Sequence, residues 1–431
     1  MFKLFLPDLS KRAIGLDLLR AAAIIMVLFY HAWIFVAGFF PKAGLLFFLG
    51  YWGVELFFVL SGFLIGGILI SKVLQAEAFS LNMLVDFWKR RWIRTIPIYL
   101  IALIINFLSL NYIVGYPTSF DFRYLFFLQN TTQSHPAFFP EAWSLSVEEW
   151  FYISLPIGVL LAFIIPVKNK ENRLLTVFML LLCLFTYLRY TQFQGQFELS
   201  AWDKNIRKVV AFRLDALMYG VLAAWFLKTK NKLVLQFKNA LLVIGMILVP
   251  LAYFIFYKKH FPFFNVVFFT SISSLGFALS LFYFANWTGP KNIKLINGIT
   301  FLSVISYSLY LIHYTFLFRI LNNFIIASTL LNASVLLICY LLLSILLASL
   351  FHYYFEKPFL KIKEKMKAIA NGTYTPPEKD KVKLTFEITE KQYKKYQRWR
   401  NAKKKKEGDK VTPKGTYKIV NIYYRKDRIK K

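Results

Sequence analysis

Between residues 13 and 355 the chain repeats one pattern, apolar stretches of about 20 residues separated by short polar loops. A helix rises about 1.5 Å per residue, so each stretch is long enough to cross the roughly 30 Å of hydrocarbon in a bilayer. No water solvates backbone N–H and C=O groups at that depth, so each stretch must satisfy them internally as a helix. The sequence therefore describes an all-α integral membrane protein with about ten transmembrane helices. We place the spans at 13–37, 45–70, 93–115, 145–166, 174–190, 209–228, 240–257, 263–286, 298–321 and 330–355. Apolar residues make up 58% of the chain, above the roughly 45–50% of a soluble domain.

A formal net charge of +31 invites a nucleic-acid reading, but its distribution argues against one. Residues 361–431 hold 24 Lys and Arg against 8 Asp and Glu, about half of the excess. Much of the remainder lies in alternate short loops, the bias that marks the cytoplasmic side. The basic set comprises Lys3, Lys11 and Arg12; Lys72, Lys89, Arg90, Arg91 and Arg94; Lys168, Lys170 and Arg173; Lys228 to Lys238; and Lys291 with Lys294. An even number of spans with both termini in the cytoplasm follows. The domain organisation is a core at 1–360, a linker at 361–383 and a basic cytoplasmic tail at 384–431, suited to anionic headgroups. The short basic N-terminus lacks the cleavage site of a signal peptide. Cys183 and Cys339 sit in apolar runs and are expected to be buried, inert thiols. No cysteine–histidine cluster suggests a metal.

Ionisable groups inside a span are costly, which makes each a functional candidate. The first span, GLDLLRAAAIIMVLFYHAW, carries three. Arg20 and His31 are eleven positions apart, which places them within about 20° of each other around the helix and about 16 Å apart along it. Asp17 falls on the same side, near the cytoplasmic edge, where pairing with Arg20 is expected. An imidazole near neutral pH serves as base or nucleophile in acyl transfer. In the second span, YWGVELFFVLSGFLIGG, the residues Glu55, Gly62 and Gly66 share a face, and Ser61 points about 120° from Glu55. Those glycines admit either a helix backbone or a substrate.

The segment KRRWIRTIP follows the second span. Arg91 and Arg94, three apart on a helix, project to a similar side. They satisfy the positive-inside bias and also suit the phosphates of coenzyme A. The segment WSLSVEEWFY at 143–152 opens the fourth span. Glu148 shares a face with Ser144 and Tyr152, while Glu149 is turned about 100° away. One of the two acids is expected to orient or deprotonate His31, although acids also stabilise a helix start. Arg213 and Asp215 in FRLDALMYG, and His313 in SYSLYLIH, lie in outer halves of later spans. His135, His260 and His352 receive no role.

These segments together resemble the membrane-bound acyltransferase-three family of polysaccharide O-acyltransferases. LDLLRAAAIIMVLFYH is similar to its opening, in which a basic residue, ten further residues and a histidine follow one another, here Arg20 to His31. GVELFFVLSGFLI resembles a segment in which Asp often stands where Glu55 stands here. KRRWIRTIP, LQN at 128–130, WSLSVEEWFY, FRLDALMYG, SYSLYLIH and FEKP at 355–358 follow in the family's order, over about residues 13–360. Some members carry an extracytoplasmic hydrolase-like domain after the last helix, whereas this chain continues into a basic tail.

The resemblance implies a ten-helix O-acyltransferase of the bacterial cytoplasmic membrane. It implies transfer of an acyl group, acetyl by family habit, from cytoplasmic acyl-CoA to a hydroxyl of an envelope or surface glycan. Acyl-CoA is then a co-substrate, with no permanently bound cofactor, and the acceptor is a carbohydrate that is free or lipid-linked. We assign His31, Arg20, Glu148, Glu149 and Glu55 to catalysis, and Arg91, Arg94, Ser61 and Gly62 to the donor. Asp17, Trp143, Tyr152, Arg213 and His313 support them. The thioester arm is expected to enter along the Gly62/Gly66 face. The alternative is a transporter of a small anionic or sugar substrate, which also buries His, Glu and Arg along a pathway.

Overall fold

The computed structural model describes residues 9, 12–40, 46, 48–75, 80–163, 167, 169–325, 328–362 and 398. Among them are ten helices of sixteen residues or more: α1 (Ile14–Trp33), α2 (Phe48–Gln75), α3 (Leu81–Leu108), α4 (Ala142–Ala162), α5 (Lys170–Tyr190), α6 (Leu214–Thr229), α7 (Asn231–Lys258), α8 (Phe269–Phe284), α9 (Ile293–Ile312) and α10 (Leu330–Phe351). Residues 1–363 form one compact unit. The expected linker and tail fall almost wholly outside the described residues, and Lys361 and Ile362 still belong to the helical run that follows α10.

Among the described residues eight helical runs are long and apolar enough to cross a bilayer, namely α1 to α5, α7, and α9 and α10 with their extensions. The other two expected spans, α6 and α8, have 16 residues each, about 24 Å of rise. Each is lengthened at one end by a short helical piece, Val210–Phe212 before α6 and Pro262–Val267 before α8. Irregular backbone at membrane depth is tolerated where protein covers it, and the join is covered here. The N–H groups of Val210 and Ala211 donate to the carbonyls of Asn130 and Thr131 at 2.9 and 3.2 Å.

Side-chain caps set several helix starts. Ser80 accepts from the Met83 N–H, Asn169 from Glu171, Asn292 from Lys294 and Thr329 from Asn332, each supplying an acceptor to a donor the helix leaves unpaired. The Ser80 cap moves the start of α3 well before the expected residue 93, because the turns carrying Lys89 to Arg94 are polar yet helical. Cys183 and Cys339 are exposed on helix surfaces, contrary to the expectation of burial. An apolar run in a bilayer has a lipid-facing side, and hydropathy alone does not separate it from the protein-facing side.

Helix α1 packs against α2 and α9, α2 against α6, and α7 against α8. The α2–α6 crossing is close. A Cβ on Gly62 would stand 1.9 Å from the Leu217 carbonyl oxygen, and one on Gly220 would stand 2.0 Å from that of Val59. Two ion pairs clamp the same region. Arg213 bonds Glu55, which also accepts from Ser274. Arg189 bonds Asp215 at 2.5 Å and donates to Thr270 and Ser271 at 2.5 Å each. All four charged residues are buried, so the pairs tie α2, α5, α6 and α8 by mutual neutralisation in a medium that penalises unpaired charge.

Candidate active site

Two polar centres lie along one face of α1. The end of the bundle where α1 begins is here called proximal, and the other end distal. The distal centre is a cavity of about 500 Å³, reached by His31 from α1, Tyr51 and Val54 from α2, Trp143 from α4, and Tyr310, His313 and Tyr314 from the end of α9. Its rim contains the exposed residues Glu198, Leu199 and Ser200. Asp203 and Arg207, the two ends of a π-helical turn, and the adjacent Lys208 form a charged wall. Asp203 bonds both Arg207 and Lys208, and the Arg207 guanidinium lies 4.9 Å over the Trp143 ring. Burial works against the Asp203 charge, yet the cations of Arg207 and Lys208 pull its carboxyl down to about 2. Asn130 ties this wall to α4, donating to the Lys208 and Trp143 carbonyls at 2.7 and 3.1 Å.

His313 marks a change of helical form. The α-helix ends at Ile312, and residues His313–Phe318 make a π-helical turn, a feature that recurs at functional sites. The Thr315 N–H donates to Glu141 Oε1 at 2.9 Å and the Thr315 hydroxyl to Glu141 Oε2 at 2.6 Å. A carboxylate at the start of α4 thus holds the turn that sets His313. The His313 and His31 rings lie 5.0 Å apart between centroids, and Tyr314 lies 4.3 Å from His31.

The proximal centre gathers arginines. Arg91 bonds the Tyr152 hydroxyl and lies 4.1 Å from that ring's centre. Tyr152 also bonds Ser61 at 2.6 Å and donates to Glu148 at 3.0 Å. Arg20 lies within electrostatic reach of both Arg94 and Arg91. Arg12, rather than Arg20, pairs with Asp17, which also accepts from Ser303 at 2.7 Å, so neither Arg20 nor Arg94 has an ion-pair partner among the described residues. Glu148 and Glu149 lie within electrostatic reach of Arg91, and Glu356 within that of Arg94, yet none makes a direct ion pair with these arginines among the described residues, so three guanidinium groups held close keep donors for an anion.

Between the centres runs the Ser144–Glu148–Tyr152 face of α4, closed at its distal end by the Ser144–Tyr310 hydroxyl bond of 2.6 Å. Glu148 bonds Tyr152, and Glu149 is buried nearby. Neither acid bonds His31 among the described residues, so the carboxylate expected to orient the imidazole is absent and His313 stands beside it instead. Glu55 is closed off in its pair with Arg213, and Gly62 and Gly66 abut α6 at Leu217 and Val221. A thioester arm has no room on that glycine face.

The family described as an acyltransferase domain matches residues 13–353. The chain belongs to this acyltransferase family. Among its relatives is the O-acetyltransferase OatA of Staphylococcus aureus (strain NCTC 8325 / PS 47), 30% identical over 182 residues, which cover 38% of this chain and 27% of that protein. The peptidoglycan O-acetyltransferase OatA of Listeria monocytogenes is 30% identical over 175 residues, 36% of this chain and 25% of that protein. The chain thus matches about a quarter of the length of these two relatives. An uncharacterized Haemophilus influenzae protein is 28% identical over 222 residues, 45% of this chain and 84% of its own length. No solved structure matches.

For this acyltransferase, sequence reasoning missed Glu141, Tyr310, Asp203 and Arg207. Glu141 lies two residues before Trp143, the first residue of WSLSVEEWFY, and an acid just before an apolar helix reads as an ordinary helix start. Asp203 and Arg207 lie in a short π-helical turn whose distance from His31 only the fold sets. Tyr310 stands inside SYSLYLIH, where its hydroxyl was indistinguishable from an interfacial aromatic.

Proposed function

We propose that this membrane acyltransferase moves an acyl group, acetyl in the first instance, from acyl-CoA to a hydroxyl of an envelope glycan. The proximal end faces the cytoplasm of a bacterial cell, in keeping with the basic residues on that side, and takes the donor. Arg20, Arg91 and Arg94 bind its phosphates. The thioester arm follows the Ser144–Glu148–Tyr152 face toward the distal cavity and displaces the Ser144–Tyr310 bond on its way. The acceptor sugar enters past Glu198 and Ser200 and lies against Trp143 and the Asp203–Arg207 pair, since aromatic faces with a few fixed polar groups suit carbohydrate.

His31 is the base. The acceptor oxygen attacks the acyl carbon as its proton passes to the imidazole. The carbon–sulfur bond breaks, and the coenzyme A sulfur takes the proton back. The names of the OatA relatives support an acetyl group and a peptidoglycan-like acceptor. One observation carries the reading: a single helix face presents an unpaired arginine in a cationic cluster at one end and an imidazole in an open cavity at the other.

The test is transfer of label from acyl-CoA to glycan fragments by the full chain in lipid vesicles. We expect covalent label in the wild type, and none with His31→Ala at equal membrane abundance. Uptake of substrate without covalent label would favour transport, and full transfer by His31→Ala would overturn the role given to His31.

A further inference from the structure

Among the described residues no carboxylate bonds His31. Its ring lines the cavity, while its Nδ1 is buried with no hydrogen-bond partner among the described residues. Ring contacts around it come from Tyr30, His313, Tyr314 and Phe318. His313 is fully buried, and its Nδ1 lies 2.8 Å from the Tyr310 carbonyl oxygen. A carbonyl only accepts, so Nδ1 of His313 carries the proton and Nε2 presents a lone pair. That Nε2 is also buried with no partner.

Two neighbouring imidazoles therefore hold complementary unpaired atoms. With centroids 5.0 Å apart and planes inclined by 56°, a modest ring rotation brings a His31 Nδ1–H onto His313 Nε2. The buried position of both atoms favours that bond, because an unpaired polar group away from water is costly.

Resting on His31 as the base, we infer that His313 is its positioning residue. His313 Nε2 accepts the His31 Nδ1–H, which fixes the tautomer that leaves His31 Nε2 free to take the acceptor proton at the cavity. It fills the place an acid holds in a hydrolase triad, but with a neutral group suited to a membrane interior, where an unpaired carboxylate is expensive. As His31 becomes an imidazolium, the bond to His313 strengthens and no proton leaves the pair. The π-helical turn and its Glu141 anchor hold the second ring in place.

The experiment combines kinetics with nitrogen NMR of the histidine-labelled full chain in lipid. In wild type, His31 is expected as the Nδ1–H tautomer, and a His31 protonated on Nε2 in the resting enzyme would overturn the inference. His313→Ala is expected to lower kcat by about 10²–10³, the usual range for a lost catalytic positioning contact, with both KM values within about twofold. His313→Gln, which keeps an acceptor, is expected to recover about tenfold of that loss. Full activity in a folded His313→Ala enzyme, or KM effects without a kcat effect, would count against His313 while leaving His31 untouched. Transfer by His31→Ala would instead remove the functional reading beneath it. If His313→Ala does not fold, the wild-type tautomer and the Gln variant still decide.

Discussion

Glu141 holds Thr315 twice, its Oε1 accepting the backbone N–H at 2.9 Å and its Oε2 accepting the hydroxyl at 2.6 Å. The π-helical turn beginning at His313 thus depends on a side chain from another helix. Replacing Glu141 with Ala leaves a buried N–H unpaired, at a cost of about 1–3 kcal/mol. We expect a lower melting midpoint and a lower kcat, because His313 loses its support. Thr315→Val removes only the hydroxyl bond and should act less strongly on both measures. Equal kcat in wild type and Glu141→Ala would disconnect the turn from the chemistry.

The Glu55–Arg213 pair is fully buried. Removing one partner strands the other, which costs roughly 3–5 kcal/mol. Glu55→Leu and Arg213→Leu should each depress thermal stability in detergent, and the double replacement should depress it less than either. The folded fraction of Glu55→Leu should keep wild-type KM values. A stable but inactive Glu55→Leu enzyme would return Glu55 to the chemistry.

Arg94 has no ion-pair partner among the described residues and sits beside Arg20. A hydrogen bond to a charged group contributes about 1.5–3 kcal/mol, so Arg94→Ala should raise the donor KM by roughly 10- to 100-fold. The acceptor KM should not move. An acceptor effect of equal size would place the arginine in general folding rather than in donor binding.

Two glycines of α2 should behave oppositely. A Cβ at Gly62 meets the Leu217 carbonyl oxygen at 1.9 Å, whereas one at Gly67 has only Ala224 Cβ at 3.9 Å. Gly62→Ala must part α2 from α6, and overpacking of this kind costs about 1–3 kcal/mol or more. Gly67→Ala should be neutral to mildly stabilising. Thermal midpoints of the two variants, measured side by side, check this.

At the cavity wall, Asp203→Asn releases Arg207 and Lys208 from their shared partner. The acceptor KM should rise severalfold with the donor KM unchanged. The carboxyl is depressed from 3.8 to about 2, so its stabilising contribution is complete above the ordinary value and is lost as pH falls through about 2. Acidification to pH 4 should therefore leave the wild-type wall paired and should not reproduce the Asn variant. An acceptor KM that climbs between pH 6 and 4 in wild type but not in Asp203→Asn would refute this.

Much of the site was legible because helical geometry is local. The spacing of Arg20 and His31, the shared face of Ser144, Glu148 and Tyr152, and the separate directions of Glu55 and Ser61 all follow from 100° per residue. In the structure Tyr152 bonds Glu148 on one side and Ser61 across to α2. Asp17 was placed on the right face but with the wrong arginine, since Arg12 reaches it from the segment before α1.

The sequence by itself determined the apolar spans, the resemblance and which side chains ride on which helix face, because length, hydropathy and periodicity are properties of each segment alone. Only the tertiary structure decided that Gly62 serves α6, that Glu55 is neutralised by Arg213, and that His31 meets His313. Those outcomes depend on which faces meet across helices far apart in sequence. In a bilayer interior, close packing and the penalty on unpaired charge make that choice.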